Sequence, residues 1–421
     1  MSPLTRSITL LRATAMVVGI IIGASIFVQP SEITRRVPSV GGMLAVWLVC
    51  GLLTLFGALI CARWAAAFPQ TGGVYVYLKE GWSPALGFLW GWAMFWSMHS
   101  GIAAAIAVVA GRYVGFFVDV DERAVAAGAI AAFSLINYIG VRQGSAVQTF
   151  LTVVKVAGIL VLLMMIIPAP GTAPSQPAGT PALNDFILAL VAGLFAYGGW
   201  HMVTFAAGET RDAEKTIPRA LMIGTFIVTA CYLALNAAYV HVLPLEKVIH
   251  SQRIAADVAT AVAGPRGAAA VSVLVIVSAL GALGGVILAG PRVYFAMAQD
   301  GLLFRWLGAV HPRFQTPHRA IVLQGVWSCV LVVTGTYREL FTRVVYTEWI
   351  FFALMTAGLF RLRLRTWGHP FVPIIFIAAT AIIVVNQLVA APMQSITGLL
   401  IVVAGLPVYW FWSRHAVHRL S

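Results

Sequence analysis

Long apolar runs separated by short polar loops follow one another along almost the whole chain. A helix needs about 20 apolar residues to cross roughly 30 Å of hydrocarbon, so the runs predict about twelve membrane-spanning helices. We therefore expect an all-α polytopic membrane protein in which residues 1–421 form a single transmembrane domain. The predicted spans are 8–36, 40–62, 85–111, 124–139, 145–167, 185–209, 217–243, 267–290, 319–336, 344–360, 371–390 and 394–412.

Small residues interrupt the first and the sixth of these spans, at residues 23–25 and 195–200. Backbone polar groups cannot stay unpaired in hydrocarbon, so an interruption at membrane depth indicates a protein cavity. Two broken helices, each the first in its half of the chain, are typical of transporters built from inverted repeats. We expect a first repeat at about 8–167, a second at about 185–360, and two additional helices at about 371–412.

Composition excludes a soluble protein, since 60% of the residues are hydrophobic and 10% are charged. The mean hydropathy is +0.91. A net charge of +13 would suggest nucleic acid in a soluble chain. Here the basic residues lie in loops, where they set topology, and no nucleic-acid partner is expected. More of them fall on the side of the two termini, so we expect both termini in the cytoplasm and a place in the plasma or inner cell membrane.

The loops and cysteines add little chemistry. Segment 168–184 is uncharged and rich in Pro, Gly and Ser, which predicts an external linker between the two halves. The four cysteines lie inside apolar runs without metal-ligand spacing. We therefore expect no metal site and no disulfide-linked accessory subunit, because no cysteine falls in a predicted external loop.

The first break, at residues 23–25, has two interpretations. The freed N–H groups beyond it have partial positive charge and suit a substrate carboxylate. A small-residue helix contact is the alternative. The second break adds the costlier Gly198-Gly199 interruption, whose freed carbonyls could accept from a substrate ammonium group. The candidate substrate-binding residues are Ile22, Gly23, Ala24, Ser25, Phe195, Ala196, Gly198 and His201.

Lys155 is the candidate for a coupling role. It stands about ten residues from each end of the otherwise uncharged fifth span, too deep to reach the interface easily. An ammonium group there must face a cavity or pair with carbonyls. We expect Lys155 to bind carbonyls at the Gly23 break, where it would substitute for a metal cation. For His201 two interpretations remain: it either contacts the ligand or is a neutral, hydrogen-bonded packing residue.

Other residues are candidates for gating or pocket support. Glu209 either forms a cytoplasmic ion-pair latch, for instance with Arg211 or Arg63, or is a solvated helix end. Tyr232 either lines the pocket or forms an interhelical contact, and Trp200 could close the pocket. Glu348 is a candidate ion-pair partner or gate. The chain has no phosphate-binding loop and no nucleophile elbow. We therefore predict neither an enzyme nor an ATP-driven pump, and no cofactor.

Several motifs together resemble the amino acid–polyamine–organocation superfamily, and within it the L-amino acid transporter-like permeases. They cover nearly the whole chain and are residues 21–27, 68–75, 193–200, 209–220 and 348–349. The resemblance implies the LeuT-type fold of two inverted five-helix repeats, alternating access, and sodium-independent exchange or facilitated transport of L-amino acids. It also implies that the first break binds the carboxylate, the second binds the amino group, and Lys155 replaces sodium.

Three positions depart from the family pattern, and all three concern the pocket. The first break reads Gly23-Ala24-Ser25 in place of Gly-Ser-Gly, His201 stands where Asn is frequent, and Gly284 stands where Asn is common. The expected substrates are small or medium neutral L-amino acids, because few acidic residues face the predicted cavity. The alternatives are a proton-coupled amino acid or amine symporter and a binding-only membrane sensor or subunit.

Overall fold

The computed structural model describes residue 4 and residues 6–171, 182–335 and 337–417. Within these ranges the chain is helical, and its one β-type contact is the bridge between Ile8 and Thr210. The helices are α1 (Leu10–Ile21), α2 (Gln29–Arg36), α3 (Val40–Ala67), α4 (Val74–Gly81), α5 (Pro84–Ala93), α6 (His99–Val114), α7 (Glu122–Ile139), α8 (Val141–Ile166), α9 (Leu183–Ala196), α10 (Ala213–Val242), α11 (Leu245–His250), α12 (Ile254–Ala289), α13 (Pro291–Gln299), α14 (His318–Thr334), α15 (Tyr337–Arg361), α16 (Phe371–Ala390), α17 (Pro392–Val403) and α18 (Gly405–Val417).

The all-α polytopic prediction is confirmed, since a helix lies at each of the twelve predicted spans. Nine segments in the described ranges are long and apolar enough to cross a membrane, and α14 is a shorter apolar helix. A total of twelve crossings and the inverted repeat stay predictions. In the predicted linker 168–184, residues 172–181 lie outside the described residues.

Both predicted helix breaks are present. α1 stops at Ile21, and a short 3₁₀ turn at Ser25–Phe27 precedes α2. α9 stops at Ala196, and a 3₁₀ helix at Trp200–Glu209 continues the sixth span. At each of these two breaks the polypeptide loses regular α-helical hydrogen bonding, and its backbone groups need other partners.

The broken helices lie inside a shell of complete ones. α1 packs against α8, α10 and α12, and α9 packs against α3. One face of α8 is buried against these helices. It is formed by residues at helical spacing, namely Gln148, Thr152, Lys155 and Ile159. Phe150 on another face is exposed to the lipid side. This polar face of α8 lies against α1. Gln148 and Thr152 donate to the carbonyl oxygen of Ala15, and Lys155 reaches that of Ile22 at the break.

Candidate functional site

A narrow cavity lies where the two broken helices meet. The centre of a water-sized sphere can occupy about 40 Å³ of it, and a single water needs about 10–15 Å³ on that measure. The cavity therefore has room for only a few water-sized molecules in this conformation. Its walls come from both breaks and from α6, α12 and α15, and they include Gly23, Ser25, Phe195, Gly198, Trp200 and Glu348.

Not every predicted binding residue reaches this cavity. Gly23, Ser25, Phe195 and Gly198 line it, as does the predicted support residue Trp200. The remaining four are buried behind the lining. These are Ile22, Ala24, Ala196 and His201.

The first break offers unpaired donors. In the ranges that the structure describes, the amide N–H groups of Ala24, Ser25 and Ile26 donate to no acceptor. Ala24 and Ile26 are buried, and unpaired backbone donors away from water cost free energy. Successive N–H groups at such a turn form a concave anion-binding surface. This end of the cavity is suited to a carboxylate.

The carbonyl side of the same break is bound by Lys155. Its Nζ donates to the carbonyl oxygens of Gly19 at 2.9 Å, Ile22 at 2.6 Å and Ser278 at 2.8 Å. An ammonium group has three N–H donors, so its hydrogen-bonding capacity is filled. The side chain is fully buried. Among the described residues it has no carboxylate within ion-pair distance, and the carbonyls alone stabilise its charge.

Ser278 contributes a hydroxyl to the same place, a contact that the sequence analysis missed. Its Oγ lies 3.0 Å from the carbonyl oxygen of Ile22 and 2.9 Å from that of Gly23. α12 thus supports the break with a side chain and a main-chain carbonyl. The signal in the sequence is weak, because a single serine in an apolar span is also a common helix-packing residue.

The second break depends on Gly199. This residue has φ of +94°, a conformation that glycine adopts far more readily than other residues. A Cβ built on it would lie 2.4 Å from Cγ2 of Ile20. The two breaks therefore touch at a point where only a hydrogen atom fits.

Tyr232 of α10 connects the breaks directly. Its hydroxyl oxygen lies 2.9 Å from the carbonyl oxygen of Ile21 in the first break and 2.9 Å from that of Ala196 in the second. The ring is buried and packs against Trp47 and Tyr197. Tyr232 thus supports the pocket from behind and does not line it.

His201 and Glu348 form a buried polar pair beside the cavity. Nε2 of His201 and Oε1 of Glu348 are 3.9 Å apart, which is too long for a hydrogen bond. Neither ring nitrogen of His201 has a hydrogen-bond partner among the described residues. The imidazole packs against Phe352. Of the two alternatives for His201, the packing residue fits this geometry, but without the expected hydrogen bond.

Glu348 lines the cavity, although the sequence analysis placed it only as an ion-pair partner or gate. Glu348 could have been predicted as a cavity residue on the same ground as Lys155, because each is an ionisable residue in an apolar span. Glu348 is the one acidic residue in the described lining, so the expectation that few acidic residues face the cavity agrees with this geometry.

On the predicted cytoplasmic side, Glu209 pairs with Arg292 of α13. The two contacts, to Nε and Nη2, are 2.8 and 3.1 Å long, and neither side chain is exposed. Glu209 is therefore neither a solvated helix end nor a partner of Arg211 or Arg63. The partner is 83 residues away in sequence, and so local sequence reasoning could not find it.

A second ionic cluster joins α4 to the end of α13 on the same side. The Asp300 carboxylate accepts from the Tyr75 hydroxyl at 2.6 Å and from Lys79 Nζ at 2.8 Å. Partial burial acts to lower the pKa of Lys79, but the hydrogen bond and charge of Asp300 outweigh it and raise that pKa above its usual value. The two clusters tie the sixth span and α4 to α13.

The fold and this site define a class of protein, and comparison with known families agrees. Residues 8–412 match the amino acid permease family. The chain belongs to this family, within the amino acid–polyamine–organocation superfamily, and is a multi-pass membrane transporter of amino acids and not an enzyme.

Similar proteins are amino acid exchangers and transporters. The serine/threonine exchanger SteT of Bacillus subtilis is 32% identical over 97% of this chain and 97% of its own length. The human cystine/glutamate transporter is 29% identical, with 97% and 85% covered. The human large neutral amino acids transporter small subunit 2 is also 29% identical, with 98% and 82% covered.

Proposed function

We propose that this protein exchanges small or medium neutral L-amino acids across the cell membrane without sodium. The observation that carries the proposal is the position of Lys155. In transporters with broken helices, unwound carbonyls coordinate the coupling ion. Here the ammonium group of Lys155 donates hydrogen bonds to the carbonyl oxygens of Gly19, Ile22 and Ser278. A resident cation leaves no place for a sodium ion at these oxygens.

The two breaks are suited to the two charges of an amino acid. The free N–H groups of Ala24, Ser25 and Ile26 would bind the carboxylate. The C-terminal end of α9, at Phe195 and Ala196, carries partial negative charge and would bind the amino group. Binding both groups selects the zwitterionic backbone common to all α-amino acids, so the side chain is selected elsewhere in the cavity.

Exchange requires that the cavity open to each side in turn. We assign the inverted repeats, at about 8–167 and about 185–360, to that alternation, with both termini in the cytoplasm. The Glu209–Arg292 pair would hold the cytoplasmic side closed in the present conformation. Cys50 and Cys61 are buried, and Cys231 and Cys329 are partly buried. We propose that the chain works without a disulfide-linked subunit.

Proton-coupled symport is the second candidate function, and the buried pair of His201 and Glu348 favours it. The carboxyl group lies 3.9 Å from the imidazole, and an opposite charge at that distance would stabilise a proton taken up by the imidazole. In such a symporter the proton would enter and leave with each transported amino acid.

Uptake of a labelled neutral amino acid into proteoliposomes separates these functions. An exchanger takes up label only when the vesicles contain unlabelled amino acid, and ignores a pH gradient. Accumulation in empty vesicles, driven by external acid, would establish proton symport. Binding without uptake under any of these conditions would instead indicate a membrane sensor.

A further inference from the structure

The carboxyl group of Glu348 is the one ionisable side chain in the described lining of the cavity. The side chain is 7% exposed, and Oε1 has no hydrogen-bond partner among the described residues. Trp349 and Phe352 of the same helix line the cavity beside it. Glu348 thus brings a carboxyl group to an apolar wall of the cavity, and one of its two oxygens is buried there without a partner.

Protein groups do not satisfy this oxygen. No Lys or Arg of the described residues lies within ion-pair distance of Glu348, and His201 is 3.9 Å away. A buried polar atom without a partner keeps the cost of losing its hydration, which a hydrogen bond would otherwise offset. Such atoms are rare in native structures and call for an explanation, among them a partner that binds there.

We infer that Glu348 determines side-chain specificity by accepting a hydrogen bond from the side-chain hydroxyl of serine or threonine. This inference rests on the proposed function, in which the two breaks already bind the amino and carboxylate groups. The side chain of such a substrate would contact the rest of the cavity lining, where Glu348 supplies the carboxyl group. An oxygen that accepts can do so whether the carboxyl group is ionised or protonated.

Size favours a hydroxyl over a longer donor. The cavity is narrow, and the rings of Trp200, Trp349 and Phe352 border it. The long side chain of lysine or arginine would have to displace these rings, whereas the side chain of serine or threonine is short. An anionic side chain would be repelled by an ionised Glu348.

Two pairs of isosteric substrates test the inference in the wild-type protein. 2-Aminobutyrate replaces the hydroxyl of serine by a methyl group, and valine does the same for threonine. We expect exchange of the hydroxyl member of each pair with a kcat/KM about 10- to 100-fold higher, the factor that one hydrogen bond to a charged group contributes. Equal values within both pairs would overturn the inference, and so would more efficient exchange of lysine than of serine.

Variants then assign the preference to this residue. Glu348→Leu removes the acceptor and should abolish the preference, while Glu348→Gln keeps an oxygen of the same size and position and should retain part of it. Glu246→Leu, at an exposed site on α11, is the matched control and should leave the preference unchanged. Wild-type preference that persists in Glu348→Leu would contradict the assignment.

The experiments distinguish a wrong proposed function from a wrong assignment of Glu348. Absence of exchange for every amino acid overturns the proposed function and the inference with it. Exchange without a hydroxyl preference overturns the inference alone. A loss in Glu348→Gln that is equal for all four substrates would show that Glu348 binds the shared amino group instead, and would also overturn it.

Discussion

The guanidinium group of Arg292 and the carboxylate of Glu209 form a two-point ion pair from which water is excluded. Arg292 also donates to the carbonyl oxygen of Leu288 at 2.6 Å, and the main-chain oxygen of Glu209 accepts from Ser7 and Ile8. The pair therefore joins the N-terminal segment, the 3₁₀ helix of the sixth span and α13 at one point.

Breaking this pair from one side should be costly. Arg292→Ala leaves the Glu209 carboxylate buried without its partner, and such a change typically costs about 3–5 kcal/mol. We expect a large fall in the thermal midpoint of the purified protein in detergent. Arg219→Ala, at an exposed site, is the control and should change the midpoint little.

Removing both charges should cost less than removing one, because no buried charge is left unpaired. The double variant Glu209→Leu, Arg292→Leu is therefore expected to be more stable than Arg292→Ala. If the double variant were the less stable of the two, or if Arg292→Ala matched Arg219→Ala, the pair would not have the role given to it here.

Gly199→Ala should disable the second break. The positive φ costs a residue with a Cβ about 1–2 kcal/mol, and the added carbon would lie 2.4 Å from Ile20. We expect amino acid exchange to be lost. Gly41→Ala is the matched control, since a Cβ there meets no atom within 4 Å. Normal exchange by Gly199→Ala would show that the breaks need not touch.

Tyr232→Phe should weaken substrate binding. It removes the hydroxyl between the carbonyls of Ile21 and Ala196. The Ile21 oxygen keeps the N–H of Gly23 as a donor, whereas the Ala196 oxygen loses this donor, and a buried group left unpaired costs about 1–3 kcal/mol. The measurement is the KM for exchange together with the thermal midpoint. We expect a higher KM and a lower midpoint.

Tyr239→Phe supplies the control on the same helix, because the Tyr239 hydroxyl has no hydrogen-bond partner in the described part of the chain. This variant should be close to wild type in both measurements. Equal effects of the two tyrosine changes would mean that the link between the breaks does not support the site.

The positions of the two breaks and the burial of Lys155 against main-chain carbonyls could be predicted from the sequence, because each depends on residue types that are unusual in a membrane span. Residues that weaken a helix leave backbone groups unpaired in hydrocarbon, and a lone ammonium group there is costly, so both need protein partners. Partners distant in sequence were not predictable. Arg292 beside Glu209, and Ser278 beside Lys155, depend on how α12 and α13 pack.

The assignment of His201 shows a further limit. It was a candidate ligand because it is a titratable side chain at the depth of the second break, but it lies in the 3₁₀ helix Trp200–Glu209 and does not line the cavity. Helical register within an irregular segment is set by tertiary contacts, here the rings of Trp90 and Phe352. Sequence spacing alone does not determine it.

The most direct test concerns Lys155 as the resident cation. Exchange of labelled serine is measured in proteoliposomes that contain unlabelled serine, with sodium or choline as the salt. We expect equal rates for the wild type in both salts and loss of exchange in Lys155→Met. Lys247→Met, at an exposed site, should exchange serine at the wild-type rate. Exchange by the wild type that requires sodium, or normal exchange by Lys155→Met, would contradict this role of Lys155.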